Sequence, residues 1–267
     1  MVKDLAMLII VLMYHGLDSV EEPSEFTEKG DVIYVVDVNE FENQMQYLKK
    51  HKVPVVTLKS HFEDKPCLGR DSFHPPVILT FDDGHITNYT RAFPILRRLG
   101  LNAYFFITTD WIGKPYYMNE DMIKRLCSAG MIIGSHGKTH GFLSDMHDYE
   151  VNYELSASKI RLEKITGYRV TALSVPGGRI DERVKRLAFE LGYTTIFHSE
   201  PNVNKLGSEA ITMGRFPVRR NTTLNEFVRI VDGKPSLRES MRYKVLKAAK
   251  VVMGNANYQK LRDYIMS

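Results

Sequence analysis

Two short runs carry the residue types that perform hydrolytic chemistry. The first is Thr80-Phe81-Asp82-Asp83-Gly84, two adjacent carboxylates followed by a glycine. In a regular strand such neighbours point to opposite faces. A turn at Gly84 brings both to one side, where they repel unless a cation or a shared proton relieves them. The second run is Ser135-His136-Gly137-Lys138-Thr139-His140. If it forms a helical turn, both imidazoles of the H-x3-H pair lie together and chelate one ion. Two neutral imidazoles and one carboxylate make an open zinc-type set with a position left for water. A further carboxylate beside that set can act as a general base. Each run also has a plainer reading, with one aspartate capping a helix and both histidines simply solvated.

Two more histidines sit where apolar runs end. His15 follows Leu8 to Tyr14, and His198 closes Thr194 to His198. His51, His61, His74, His85 and His147 read as ordinary loop or surface residues, with His85 near enough to the carboxylates to be noted.

These residues need elements to gather them. Asp37 is an N-cap candidate for a helix over Glu40 to Lys50, and Val55 to Leu58 reads as a short strand. Val77 to Phe81 is a continuous apolar strand ending at the carboxylates. A helix over Thr87 to Leu99 should kink or break at Pro94 and stop at Gly100. The alternation continues with strands at Ala103 to Thr108, Met131 to Ser135, Val170 to Val175 and Ile211 to Val218. Helices at Asn119 to Ala129, Tyr149 to Thr166 and Asp181 to Leu191 lie between them. Apolar strands separated by helices imply parallel βα units, and a closed or nearly closed barrel gathers chemistry at its strand ends. A doubly wound open sheet is the competing architecture.

The chain has 267 residues, of which 43% are hydrophobic and 25% charged, which excludes disorder as its main state. With 36 Lys+Arg against 32 Asp+Glu, the net charge of +4 is too small to argue for nucleic acid. Cys67 and Cys127 form no CxxC, so a cysteine zinc site and a disulfide framework are both excluded. The apolar start from Leu5 to Tyr14 is too short for a transmembrane segment and precedes no cleavage site. The expectation is a cytoplasmic address, or an extracytoplasmic one if the chain is a trimmed mature form. We divide the chain into a barrel over residues 1–232 and a basic helical extension over 233–267.

The Thr80 to Gly84 and Ser135 to His140 runs together, in this order, resemble the polysaccharide deacetylases of the NodB-homology class (carbohydrate esterase family 4). The resemblance spans residues 5 to 230 and implies an α/β fold, a distorted (β/α)-barrel of about seven strands. It implies removal of N-acetyl groups from an acetylated carbohydrate partner. Asp82 would be the general base, and Asp83, His136 and His140 would hold a divalent metal, zinc in the first instance, with nickel, cobalt or iron suiting the same ligands. Val175-Pro176-Gly177-Gly178 looks like the family's third motif beside substrate and oxyanion. Its usual upstream arginine is absent, and Arg179 is the candidate substitute. The family's Asp/Trp motif is missing too, since the sole tryptophan is Trp111. Leu12-Met13-Tyr14-His15 supplies the family's Leu-x-x-His at the N-terminal side, the permuted arrangement of deacetylases of β-1,6-linked poly-N-acetylglucosamine. By that resemblance His15 would be the general acid, with His198 as runner-up, and Leu12 would line the acetyl pocket. Tyr14, Trp111, Tyr116 and Tyr117 are candidate sugar platforms. The rival readings are a metal-dependent amidohydrolase on a small non-sugar amide and a non-catalytic carbohydrate-binding barrel.

Overall fold

The structure is a computed structural model and describes residues 8–19, 29–58, 74–205 and 211–235. The helical extension expected after residue 233 falls almost wholly outside these residues, as does Cys67.

In chain order the strands are β1 (Leu8–Tyr14), β2 (Leu17–Asp18), β3 (Val36–Asp37), β4 (Val77–Phe81), β5 (Tyr104–Ile107) and β6 (Ile132–Ser135). They continue with β7 (Ala172–Ser174), β8 (Thr195–His198), β9 (Asn204–Lys205), β10 (Ile211–Gly214) and β11 (Phe216–Pro217). The main sheet runs β10-β8-β7-β6-β5-β4-β1-β11, with every neighbouring pair along that path parallel. Its two edges, β10 and β11, are separated in the chain by Arg215 alone. One traverse over 211–217 therefore pairs with β8 at one end and with β1 at the other, and draws the sheet into a nearly closed, distorted barrel. Asn204 on β9 covers the break, accepting from the Gly214 N–H at 2.8 Å and donating to the Gly214 carbonyl at 2.9 Å. Val55 to Leu58 does not form the expected strand: only Val55 makes a single bridge, to Val77.

The helices begin where side-chain acceptors meet orphan N–H groups. Asp37 caps α1 (Val38–Lys50), accepting from the Asn39 amide at 2.8 Å. The helix expected over 87–99 is in two parts, a π-helical turn at Asn88–Ala92 followed by α2 (Phe93–Leu99). Pro94 follows directly on the π turn, so the helical run over 86–99 is interrupted in its hydrogen-bond pattern where the missing Pro94 N–H falls, as the expected kink or break required. Asn119 caps α3 (Glu120–Ser128), α4 spans Asp148–Thr166, Asp181 caps α5 (Glu182–Glu190), and Thr223 with Glu226 forms a capping box on α6 (Leu224–Val231).

Period-two alternation divides the strands between two cores. Ile10, Leu12 and Tyr14 of β1 pack with Phe41, Met45 and Leu48 of α1, in the layer that joins sheet to helices. Ile9, Val11, Ile78, Phe106, Phe197 and Met213 fill the barrel interior. Gly134 of β6 leaves room there for Phe106, since a Cβ would lie 2.4 Å from that ring. Among the described residues no helix is long and apolar enough to cross a membrane.

Candidate active site

Above the apolar interior, the inward-facing positions turn polar. Along β4 the alternation runs Ile78, Thr80, Asp82, and along the closing traverse Ile211, Met213, Arg215. Asp82 is 2% exposed and Arg215 is fully buried. Arg215 grips the carboxylate with both arms, Nη1 to Oδ1 at 2.8 Å and Nη2 to Oδ2 at 2.7 Å. Its other N–H groups reach Thr80 Oγ1 at 3.2 Å, Ser174 Oγ at 2.9 Å and the His198 carbonyl at 3.4 Å. All five guanidinium donors thus meet oxygens, the condition under which a buried charge is tolerable. Ser174 Oγ in turn donates to Asp82 Oδ2 at 3.1 Å. Burial pushes the Asp82 carboxyl up, but Arg215 and His136 outweigh it and hold the group below its ordinary value.

Asp83 and Gly84 both adopt left-handed backbone, with φ of 72° and 80°. That turn brings the two neighbouring carboxylates to the same mouth, as the glycine suggested. Asp83 Oδ1 lies 3.3 Å from His136 Nε2 and 3.4 Å from His140 Nε2. The His136 Nδ1 sits 2.8 Å from the Ser174 carbonyl, an acceptor only, so Nδ1 carries the proton and Nε2 turns a lone pair toward Asp83. Asp83 Oδ1 is buried with no hydrogen-bond partner. Ring lone pair and carboxylate oxygen facing each other at this distance repel, and a cation between them removes the conflict. The donor atoms of Asp83, His136 and His140 all lie within 4.8 Å of one another, so the set fits a divalent ion. Burial raises the Asp83 carboxyl, but the imidazoles gathered round it, His136, His140 and His15, outweigh burial and hold it well below its usual value.

The two histidines converge without the helical turn that their spacing suggested. Residues 136–140 form a loop in which Gly137 has φ of 75° and His140 φ of 68°. The His136 and His140 rings stand 4.9 Å apart. Trp111 lies 4.9 Å from the His140 ring and 4.7 Å from Tyr117, so these two aromatics wall one side of the site. Tyr116, at 38%, is exposed nearby, whereas Tyr14 is fully buried with its hydroxyl on Gln44 Oε1 at 2.7 Å, which removes it from the sugar platforms.

His15 leaves the end of β1 half-buried, stacked on Tyr34 at 4.8 Å. An imidazolium at this position favours the ionised forms of both Asp82 and Asp83. His198, the other acid candidate, uses its Nδ1 to accept from the Glu200 amide at 3.2 Å. Leu12 does not face the mouth. Strand alternation sends it, fully buried, into the helix-side core. Pro176, Gly177 and Gly178 form a tight 3-10 turn beside the ligand loop, with Gly177 at φ 65°. A Cβ on Gly137 would come within 3.5 Å of Pro176, which shows how closely turn and loop approach. The guanidinium that meets the Asp82 carboxylate is Arg215, not Arg179. A charged residue in the middle of Ile211 to Val218 was the available signal, because a buried arginine requires a partner.

The barrel thus brings an aligned carboxylate beside an Asp/His/His donor set at one mouth. The family model described as polysaccharide deacetylase matches residues 70–196, which hold Asp82, Asp83, His136, His140 and the 176–178 turn. It is 28% identical to YxkH of Bacillus subtilis (strain 168) over 193 residues, 72% of this chain and 64% of that protein. It is 34% identical to the poly-beta-1,6-N-acetyl-D-glucosamine N-deacetylase of Staphylococcus aureus (strain MSSA476) over 94 residues, 34% of this chain and 31% of that enzyme. Among solved structures it resembles BC0361, a polysaccharide deacetylase from Bacillus cereus, with a TM-score of 0.72 and 26% identity over 85% of this chain and 69% of that one. The chain thus spans less than two thirds of the curated relatives it matches.

Proposed function

We propose that the protein hydrolyses N-acetyl groups from an acetylated aminosugar chain. The observation that carries this reading is Asp82, a buried carboxylate held ionised by Arg215 and placed 4.0 Å from His136 Nε2 at the edge of the Asp/His/His set. A divalent ion bound by Asp83, His136 and His140 supplies Lewis acidity toward the water and the acetyl oxygen. Two imidazoles and one carboxylate suit zinc, and we assign that metal to the site.

Asp82 accepts the proton of the water that attacks the acetyl carbon. Arg215 keeps its two oxygens oriented, so no side-chain rotation has to accompany the proton transfer. The Gly177 N–H, on the exposed crest of its turn, is the donor assigned to the developing oxyanion, because the Gly178 N–H is already bonded to the Val175 carbonyl at 2.8 Å. His15 protonates the departing amine. Acetate and a free amino sugar result. The aromatic wall of Trp111 and Tyr117 offers the apolar face that a pyranose ring stacks on, which favours a sugar over a small aliphatic amide.

The test is acetate release from chitooligosaccharides, poly-N-acetylglucosamine, peptidoglycan fragments and simple amides by zinc-loaded protein. Release from the sugars, and its loss in Asp82→Asn with zinc still bound, is the expected result. Turnover of amides alone, or full activity in the variant, would overturn the assignment.

A further inference from the structure

Glu154 lies on the inner face of α4 and is 5% exposed. A carboxylate so placed must be compensated. It is compensated by the loop that carries the two histidines. Glu154 Oε2 accepts from the Lys138 amide at 2.8 Å and the Thr139 amide at 2.9 Å, and Oε1 accepts from Thr139 Oγ1 at 2.8 Å. The amides it holds therefore lie between His136 and His140. The preceding amide, Gly137, donates to Ser135 Oγ at 3.1 Å. That hydroxyl is joined at 2.7 Å to Ser158, which stands one turn beyond Glu154 on the same face of α4. Three successive loop amides are thus tied, directly or through Ser135, to two side chains of one helix.

The loop needs this support. It bends through two left-handed residues, Gly137 and His140, within four positions, and it makes no helical turn of its own. A non-glycine residue in that conformation is costly unless its surroundings dictate it. His140 is also the more exposed histidine, its side chain 31% accessible against 2% for His136. The buried ligand is aimed by the Ser174 carbonyl, and the exposed one by the backbone that Glu154 grips.

We propose that Glu154 is a positioning residue that sets the separation of His136 and His140, and so tunes metal affinity from a helix without itself being a ligand. The proposal rests on the metal reading given above. Glu154→Ala removes every acceptor and should weaken cobalt and zinc binding by about tenfold to a hundredfold, with an altered cobalt visible spectrum. Glu154→Gln is the rescue. Its carbonyl oxygen can accept both amides while its NH2 donates to Thr139 Oγ1, so its affinity should stay within about threefold of wild type. Glu154→Asp keeps the charge but not the reach, and should resemble the alanine variant; it takes over the test if Glu154→Ala does not fold. Asp37→Ala, which removes a distant helix cap, should lower the melting temperature and leave the cobalt spectrum and affinity alone. Wild-type affinity and spectrum in Glu154→Ala, or in Glu154→Asp in its place, would overturn the proposal while leaving the metal reading standing. Wild-type protein that binds neither cobalt nor zinc would overturn both.

Discussion

The pairing of Asp82 with Arg215 gives a titration behaviour that can be worked out in sign. The folded-state value of Asp82 lies below its ordinary one. The pair's stabilisation is therefore complete above the unfolded value of about 3.9 and is lost as pH falls through the lowered folded value. Arg215→Met leaves burial acting on the carboxylate without its guanidinium. Asp82 then titrates at higher pH, and the acid limb of kcat/KM should move upward in a pH–rate profile. Breaking a buried pair from one side should also cost about 3–5 kcal/mol in urea unfolding at pH 7. An unmoved acid limb would separate Arg215 from the base. At this scale the sequence made Asp82, Asp83, His136 and His140 visible, because their types are unusual at strand ends. It hid Arg215 inside an apolar run and hid Glu154 in a helix, where charged residues are ordinary.

Elements were readable in proportion to how local their causes are. β1 and β4 span the apolar runs that announce them, and Asp37, Asn119 and Asp181 cap the helices they precede. The break between β10 and β11 has no local cause. It follows from where β8 and β1 stand when the sheet curls, which is a property of tertiary structure. The Ser135 to His140 loop likewise takes its shape from α4 and not from its own sequence. Close packing gives an element-scale prediction at Gly134. Its position in β6 needs no unusual φ, yet a Cβ would meet the Phe106 ring at 2.4 Å and the Ala172 carbonyl at 3.0 Å. Gly134→Ala should therefore lose about 1–3 kcal/mol by overpacking, read as a lower urea midpoint with an unchanged slope. An unaltered midpoint would mean that β6 can shift outward freely.

For the molecule as a whole, the ligand set links metal to stability. If Asp83, His136 and His140 bind an ion only when folded, zinc at a hundred times its dissociation constant adds about 2.7 kcal/mol. For a domain of this size that is a rise of about 5–10 °C in melting temperature, reversed by a chelator. A melting temperature indifferent to both would count against the metal site.

The closing traverse has a further consequence, for how activity arises during synthesis. The three proposed metal donors all belong to the stretch from Asp83 to His140, so a nascent chain has them all once that stretch has left the ribosome. His15 is already out by then. The arginine that grips Asp82 is not, because it comes 75 residues after His140 and arrives with the strand that shuts the barrel. A chain cut short before residue 211 would carry every proposed metal donor, with Glu154 and Ser174 to aim them, but not the arginine that orients Asp82, so on the proposed reading hydrolytic competence would await the closing of the barrel.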